Sequence, residues 1–241
     1  MSILKRLTFL LFAIVGMAFT SCCDTDDGYV PSAPPTVTNP DKEQTGGDDN
    51  TTTEAPGQTE KVVDLGFSVK WATCNLGAET PSQSGDFYSW GETATKGSHS
   101  EANYFDKSYT QFGINGKKKI SGTNRDAALA KLGEGWRMPT QAEMQELVNG
   151  CTWQEEMLDG VRGVRGTAAN GNSIFLPMAG IFANSIVEVG NLGYYWCGEI
   201  GASTTVASHA AALFILGGDY VRATSYYRWE GMTVRPVYVG D

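Results

Sequence analysis

The chain has 241 residues and a formal net charge of −9, unevenly distributed. Residues 23–60 hold nine acids against Lys42, whereas residues 61–241 hold fifteen Lys and Arg against eighteen acids. The second stretch is long enough for one domain with a sizeable core, and its near-neutral balance without a basic patch excludes nucleic acid as a ligand.

At the N-terminus, Lys5 and Arg6 precede an apolar run from Leu7 through Ala18. Basic-then-apolar order marks a secretory signal peptide, and the run is short of the ~20 residues a spanning helix needs. The following Ala18-Phe19-Thr20-Ser21-Cys22 resembles the lipobox of bacterial lipoproteins, with Phe19 and Thr20 departing from its commonest form. Residues 1–21 are therefore read as a signal peptide and Cys22 as the lipidated residue, with Cys23 the alternative acceptor. A cleaved, soluble secreted protein is the plainer reading. Asp24, Asp26 and Asp27 resemble the acidic signal that sends lipoproteins of the Bacteroidetes type to the cell surface, so the expected location is the outer membrane, facing outwards. Membrane contact is expected through the lipid anchor only.

Residues 22–60 are rich in Pro, Thr, Gly and acids, as at Pro31–Pro35 and Gly46–Thr53. Such a stretch buries too little apolar surface to offset the entropy of ordering, so it is read as a disordered tether that gives reach.

The folded domain is expected over residues 61–241, which hold all six Trp. Lys61–Val63 and Ser68–Thr73 read as strands about Leu65-Gly66, with Asp86–Trp90 a third. Thr93–Lys119 reads as a surface excursion. Thr123 or Asn124 is expected to cap a helix running to Leu132 and stopped by Gly133. Thr140 and Glu143 have capping-box spacing for a second helix, with Met144, Leu147 and Val148 on one face and Gly150 at its end. Ser173–Leu176, Gly193–Trp196, Ala211–Leu216, Tyr220–Ala223 and Met232–Val239 complete the strands. The expected class is α+β, with two helices and short antiparallel sheets. Among the domain's three cysteines, Cys74 and Cys151 lie near the ends of well-marked elements and are the expected disulfide, leaving Cys197 behind Trp196. None has metal-ligand spacing.

Several segments carry a family resemblance. Val63 through Asn75 (VDLGFSVKWATCN), Tyr88-Ser89-Trp90-Gly91-Glu92-Thr93, Gly135-Trp136-Arg137-Met138-Pro139-Thr140, Asn172 through Pro177, Gly193-Tyr194-Tyr195-Trp196 and Val234-Arg235-Pro236-Val237 occur in the order of the Fibrobacter succinogenes major paralogous domain. The resemblance spans residues 62–238. It implies a C-type-lectin-like fold, related to the formylglycine-generating-enzyme type and to the variable proteins of diversity-generating retroelements. It further implies that first and last strands pair, and that an irregular stretch from Cys197 to Glu230 forms an exposed face of the kind that is diversified in those proteins. Trp136, Arg137, Pro139 and Arg235 read as structural, the arginines satisfying carbonyls or carboxylates.

Function is expected at that face. Gly198–Ser208 is small and hydroxylated, and Tyr220, Arg222, Thr224, Tyr226, Tyr227, Arg228 and Trp229 gather rings, hydroxyls and guanidinium groups in ten residues. Tyr and Trp give rigid contact area at low entropic cost. Alternation along a strand sends Tyr220, Arg222 and Thr224 to one side. The expected ligand-binding residues are Tyr220, Arg222, Thr224, Tyr226, Tyr227 and Trp229, for a protein or a glycan ligand at the cell surface. The competing reading is packing of the domain's own core. The sugar-binding motifs of calcium-dependent lectins are missing, so neither calcium nor any other cofactor is expected. His99 and His209 have no evident acid or nucleophile partner, and no hydrolase, zinc or phosphate-loop motif occurs, so no catalytic residues are assigned. The alternative is a structural or adhesive envelope component, such as a fimbrial accessory, without a small ligand.

Overall fold

A computed structural model describes residues 62–108, 111–201 and 205–240. The signal peptide, Cys22 and the acidic tether lie outside the described residues, as does Lys61. In chain order, β1 (Val62–Val63) and β2 (Lys70–Ala72) form the opening hairpin. Next come α1 (Ala127–Leu132), β3 (Trp136–Arg137) and α2 (Gln141–Gly150). A long hairpin follows, β4 (Cys151–Leu158) and β5 (Val161–Ala168), then β6 (Ser173–Pro177), β7 (Ile181–Phe182) and β8 (Ile186–Val187). The chain ends with β9 (Gly193–Trp196), β10 (His209–Ile215), β11 (Val221–Tyr227) and β12 (Val237–Tyr238). The domain is α+β, and its named strands pair antiparallel, in the orders β1-β2-β12-β3, β11-β10-β9, β4-β5-β6 and β7-β8.

The β9–β10–β11 sheet divides the interior. Tyr194, Trp196, Ala210 and Ala212 enter one buried cluster with Tyr88, Trp90, Met138 and Val234. Their neighbours Tyr195, Cys197, Ala211, Leu213 and Ile215 enter a second, with Trp71, Met144, Leu147 and Leu176. Strands buried on both faces lose the apolar-polar alternation of a half-exposed sheet, which is why Gly193–Trp196 and Ala210–Leu213 read as continuous apolar runs.

Local chemistry sets the helices. Thr140 Oγ1 accepts from Glu143 N at 3.2 Å, while Thr140 N donates to Glu143 Oε2 at 2.8 Å, closing the expected capping box. Met144 and Leu147 are its buried face. The first helix departs from expectation. Its cap is Asp126, whose carboxylate accepts from Ala128 N, Leu129 N, Gly122 N and Met138 N, a set of donors that Thr123 has no second oxygen to match. Gly133 ends it at φ 84°.

Several other expectations change. Asp86–Trp90 is no strand but a single bridge, Tyr88 to Met232. Residues 93–119 are not a loose excursion, since His99, Tyr104, Asp106 and Ile114 are buried and the Tyr104 hydroxyl donates to Trp90 O at 2.7 Å. The β4–β5 hairpin is an addition to the expected strands, and Asp159-Gly160 is its sequence mark. Both residues have positive φ (51° and 78°), the geometry of a turn matching strand twist. The last strand pairs with β2 and β3 rather than with β1. The stretch from Cys197 to Glu230 is not irregular, because it holds two seven-residue strands in full register, His209↔Tyr227 to Ile215↔Val221.

Behind this frame Arg235, just before β12, is a fully enclosed strut. Its guanidinium donates to Asn75 Oδ1 (2.8 Å), Thr73 O (2.9 Å), Ala72 O (3.2 Å) and Phe175 O (2.8 Å), tying the opening hairpin to β6. Burial lowers its pKa to about 10, so it stays charged at neutral pH. Arg137 grips both oxygens of Glu143 (2.5 and 2.8 Å), and Trp136 is buried against Tyr238.

Candidate functional site

The candidate face is assembled by strand register. Directly opposed residues of antiparallel strands share a side of the sheet. Tyr194, Phe214 and Arg222 are opposed in one row, Trp196, Ala212 and Thr224 in the next, and Ala210 opposes Tyr226. The alanines at 210 and 212 leave room for the large rings beside them. Four expected binding residues are thereby involved: Arg222, Thr224 and Tyr226 share this side, and Tyr220 joins them by packing its ring against Phe214 at 6.0 Å.

The rings run on as a chain of tilted contacts. Phe214 meets Tyr194 at 5.1 Å, Tyr194 meets Tyr226 at 5.2 Å, and the two phenols hydrogen-bond. Tyr194 is the floor, only 6% exposed, while Phe214, Tyr220 and Tyr226 are half-buried around it. Burial raises the Tyr194 phenol pKa far above its ordinary value, so it remains a neutral donor and acceptor. Arg222 is exposed, with its guanidinium 4.6 Å over the Tyr220 ring.

Tyr227 and Trp229 do not belong to the same side. Tyr227 opposes His209, lies 43% exposed at the far end of β11, and stacks on Trp229 at 4.6 Å with 19° between planes. The His209 ring stands edge-on to Tyr227 at 4.4 Å. The two rings form a second cluster that touches the first only where Tyr227 meets Tyr226 at 6.2 Å. Arg228 between them is buried, donating to Asp106 Oδ2 (3.2 Å) and Gln111 O (3.1 Å), and is a strut that pins the 93–119 segment. Part of the loop Gly198–Ser208 lies outside the described residues.

Sequence reasoning missed two contributors. Phe214 and Tyr194 read as strand core, which holds for the buried Tyr194, whereas the partial exposure of Phe214 depends on what covers its side of the sheet. Glu230 closes the aromatic run but was not singled out. Its Oε2 is shut off from solvent with no hydrogen-bond partner, and burial raises its carboxyl pKa.

Elsewhere, polar groups are largely engaged in structure. Ser89 Oγ lies 2.8 Å from His99 Nδ1 and donates to Trp229 O at 2.8 Å. With its proton committed to Trp229, the serine accepts from Nδ1–H, the reverse of the arrangement by which a histidine activates a hydroxyl nucleophile. His99 Nε2 is buried without a partner, and burial, helped by Lys96, lowers the pKa to about 4. Glu155 pairs with Arg162 and Glu156 with Arg165 across the β4–β5 hairpin. The expected Cys74–Cys151 disulfide is not formed. Cys74, Cys151 and Cys197 are all free. The Cys74 sulfur sits 3.7 Å from Thr73 Oγ1 after β2, whereas Cys151 packs against the core at the start of β4. Burial pushes the Cys151 thiol up to about 11 and raises that of Cys197 as well, which disfavours the reactive thiolate.

A shallow cleft of about 340 Å³ lies apart from the aromatic face, lined by Phe112, Lys118, Lys119, Gln141, Glu199 and Ile200. Its one acid is already used, since Glu199 Oε2 accepts from Gln141 N at 3.0 Å at the start of α2. Among the described residues no cluster of three or more His, Cys, Asp or Glu is placed to hold a metal ion, and no helix is long and apolar enough to cross a membrane. Compared with protein-family models, curated proteins and solved structures, the chain matches none significantly.

Proposed function

We propose that this chain is a surface-exposed bacterial lipoprotein, anchored through Cys22, whose domain binds a protein or carbohydrate ligand on the β9–β11 face. The observation that carries the reading is the row of half-buried rings, Phe214, Tyr220 and Tyr226, with the exposed Arg222 guanidinium lying over the Tyr220 ring. Tertiary packing covers aromatic rings when it can, and a row left part open beside polar groups is characteristic of recognition surfaces. Tyr220, Arg222, Thr224 and Tyr226 are the contact residues, with Tyr227 and Trp229 at the margin. Binding rather than catalysis is supported by the reversed Ser89–His99 hydrogen bond.

The C-type-lectin-like assignment belongs to the same proposal. It draws on the six matching segments and on a last strand that returns to the opening hairpin. On this reading the face is a candidate target of a diversity-generating retroelement, and variation would be tolerated at Arg222 or Thr224 but not at buried Ala211 or Leu213. The adhesive alternative, a fimbria-associated component, is favoured by one observation: Ile186, Val187 and Val189 are exposed together on and beside the β7–β8 hairpin.

One experiment addresses anchor and face together. In cells producing the full chain, Cys22→Ala should abolish palmitate incorporation and loss of the protein to externally added protease. Tyr220→Ala with Arg222→Ala should keep both and reduce capture of labelled material from a mixed protein and polysaccharide extract by at least about tenfold. Undiminished capture by the double variant would reject this face.

A further inference from the structure

β11 ends its sheet, with β10 on one side and no strand on the other. Leu216 N donates to Tyr220 O at 3.0 Å and Arg228 N to Ser208 O at 2.9 Å, so the even-numbered residues between them turn their backbone groups toward β10. The N–H and C=O groups of Val221, Ala223 and Ser225, and the N–H of Tyr227, then point away from it. None of these groups has a hydrogen-bond partner among the described residues. Backbone groups shut inside a protein are nearly always paired, so this edge opens to solvent. α2 packs against the underside of the sheet, where Met144 and Leu147 join Leu213, Ile215 and Val221. The usual protections of an edge strand are missing, since β11 runs seven residues in unbroken register without proline, lysine or bulge.

We propose that β11 pairs antiparallel with β11 of a second copy of the chain, across a two-fold axis at Thr224, to make one six-stranded sheet. The inference goes beyond ligand binding and does not rest on it. In that register the strand is complementary to itself. Val221 meets the partner's Tyr227, a β-branched side chain against an aromatic one, and Thr224 meets its own counterpart, a pair that hydrogen-bonds. Arg222 meets the partner's Tyr226, repeating across the axis the guanidinium-over-ring contact that Arg222 already makes with Tyr220. Ala223 and the partner's Ser225, both small, meet on the underside. The two Arg222 charges stay about 13 Å apart, four residues of extended strand. A register centred on Arg222 would set them face to face and pair fewer residues. Isologous pairing demands that one surface be complementary to itself, and β11 meets that demand without a bulge or a like-charge contact. With the axis perpendicular to the sheet, Arg222, Thr224 and Tyr226 of both copies lie on the same side, so the two aromatic faces open in one direction.

The test uses cells producing the full chain with Thr224→Cys, treated with a mild thiol oxidant and examined by non-reducing electrophoresis. Opposed residues of a non-hydrogen-bonded pair have Cα atoms about 4.5 Å apart, within reach of a disulfide. The expected result is a disulfide-linked dimer at least about tenfold more abundant than in Arg222→Cys, whose two copies stand about 13 Å apart. The parent supplies the background from its own cysteines. Chains carrying Arg222→Cys and Tyr226→Cys under different tags, produced together, should link to each other. Ala223→Pro, placed in the Thr224→Cys chain, removes an outward N–H but no bond to β10, and should reduce the dimer at least about tenfold. Should that proline disturb the strand, the mixed Arg222→Cys and Tyr226→Cys chains still decide the register. A Thr224→Cys dimer no more abundant than that of Arg222→Cys would overturn the proposal, and so would mixed chains that fail to link. Cross-linking of Thr224→Cys to a different envelope protein would give the edge to a foreign strand and overturn it too. Each of these failures is distinguishable from failure of the ligand-binding reading, which is scored by capture in the Tyr220→Ala with Arg222→Ala variant.

Discussion

His99 shows what a single enclosed side chain can impose. Its Nε2 is buried without a hydrogen-bond partner, and burial, helped by the Lys96 charge, lowers its pKa to about 4 from 6.5. The unfolded chain then binds the proton first, so stability is full above about pH 6.5 and declines as the pH falls toward 4, by at most about 3 kcal/mol. Urea unfolding at about pH 7 and about pH 4.5 should show this loss in the parent and a smaller one in His99→Gln. Equal losses would assign the acid sensitivity to other groups. The sequence could not reveal this role, because the serine that holds His99 is fixed by a carbonyl 140 residues further on. Arg235 was legible: an arginine beside an apolar strand has few ways to be buried except by donating to carbonyls.

Helix caps illustrate a difference between elements that read alike. Thr140 caps α2 from one turn away, and Thr140→Ala should cost about 1 kcal/mol. Asp126 caps α1 and also holds Gly122 and Met138, wholly out of solvent. Removing it orphans several buried donors, so Asp126→Ala should cost roughly 3 kcal/mol or more. Chemical denaturation of both variants checks the ordering, and equal effects would contradict the wider role of Asp126. The capping box of α2 was readable because both partners lie within four residues. Asp126 is not distinguishable from Thr123 or Asn124 by spacing, because two of its four donors come from outside the helix. The β4–β5 hairpin escaped for another reason: its glycines at 163 and 166 and its paired charges break apolar alternation, leaving Asp159-Gly160 as the signal.

For the whole molecule, three free cysteines in the domain mean that no covalent link closes its loops. Reductant should therefore leave the Tm unchanged within about 1 °C, whereas loss of a bridge would cost about 2–5 kcal/mol. A large reductant-induced fall would restore the Cys74–Cys151 pairing. By itself, the sequence determined the α+β class, the second helix with its cap, and most of the C-terminal strand positions, since these follow from local chemistry and periodicity. It also placed Tyr220, Arg222, Thr224 and Tyr226 among the residues of interest. Only the tertiary structure decided that these four gather on one side while Tyr227 turns away, that Arg228 is a buried strut, and that Phe214 and Tyr194 complete the face. The physical reason is that a side chain's role at a sheet depends on the register of its partners and on what covers each face, and both are set by contacts between residues far apart in the chain.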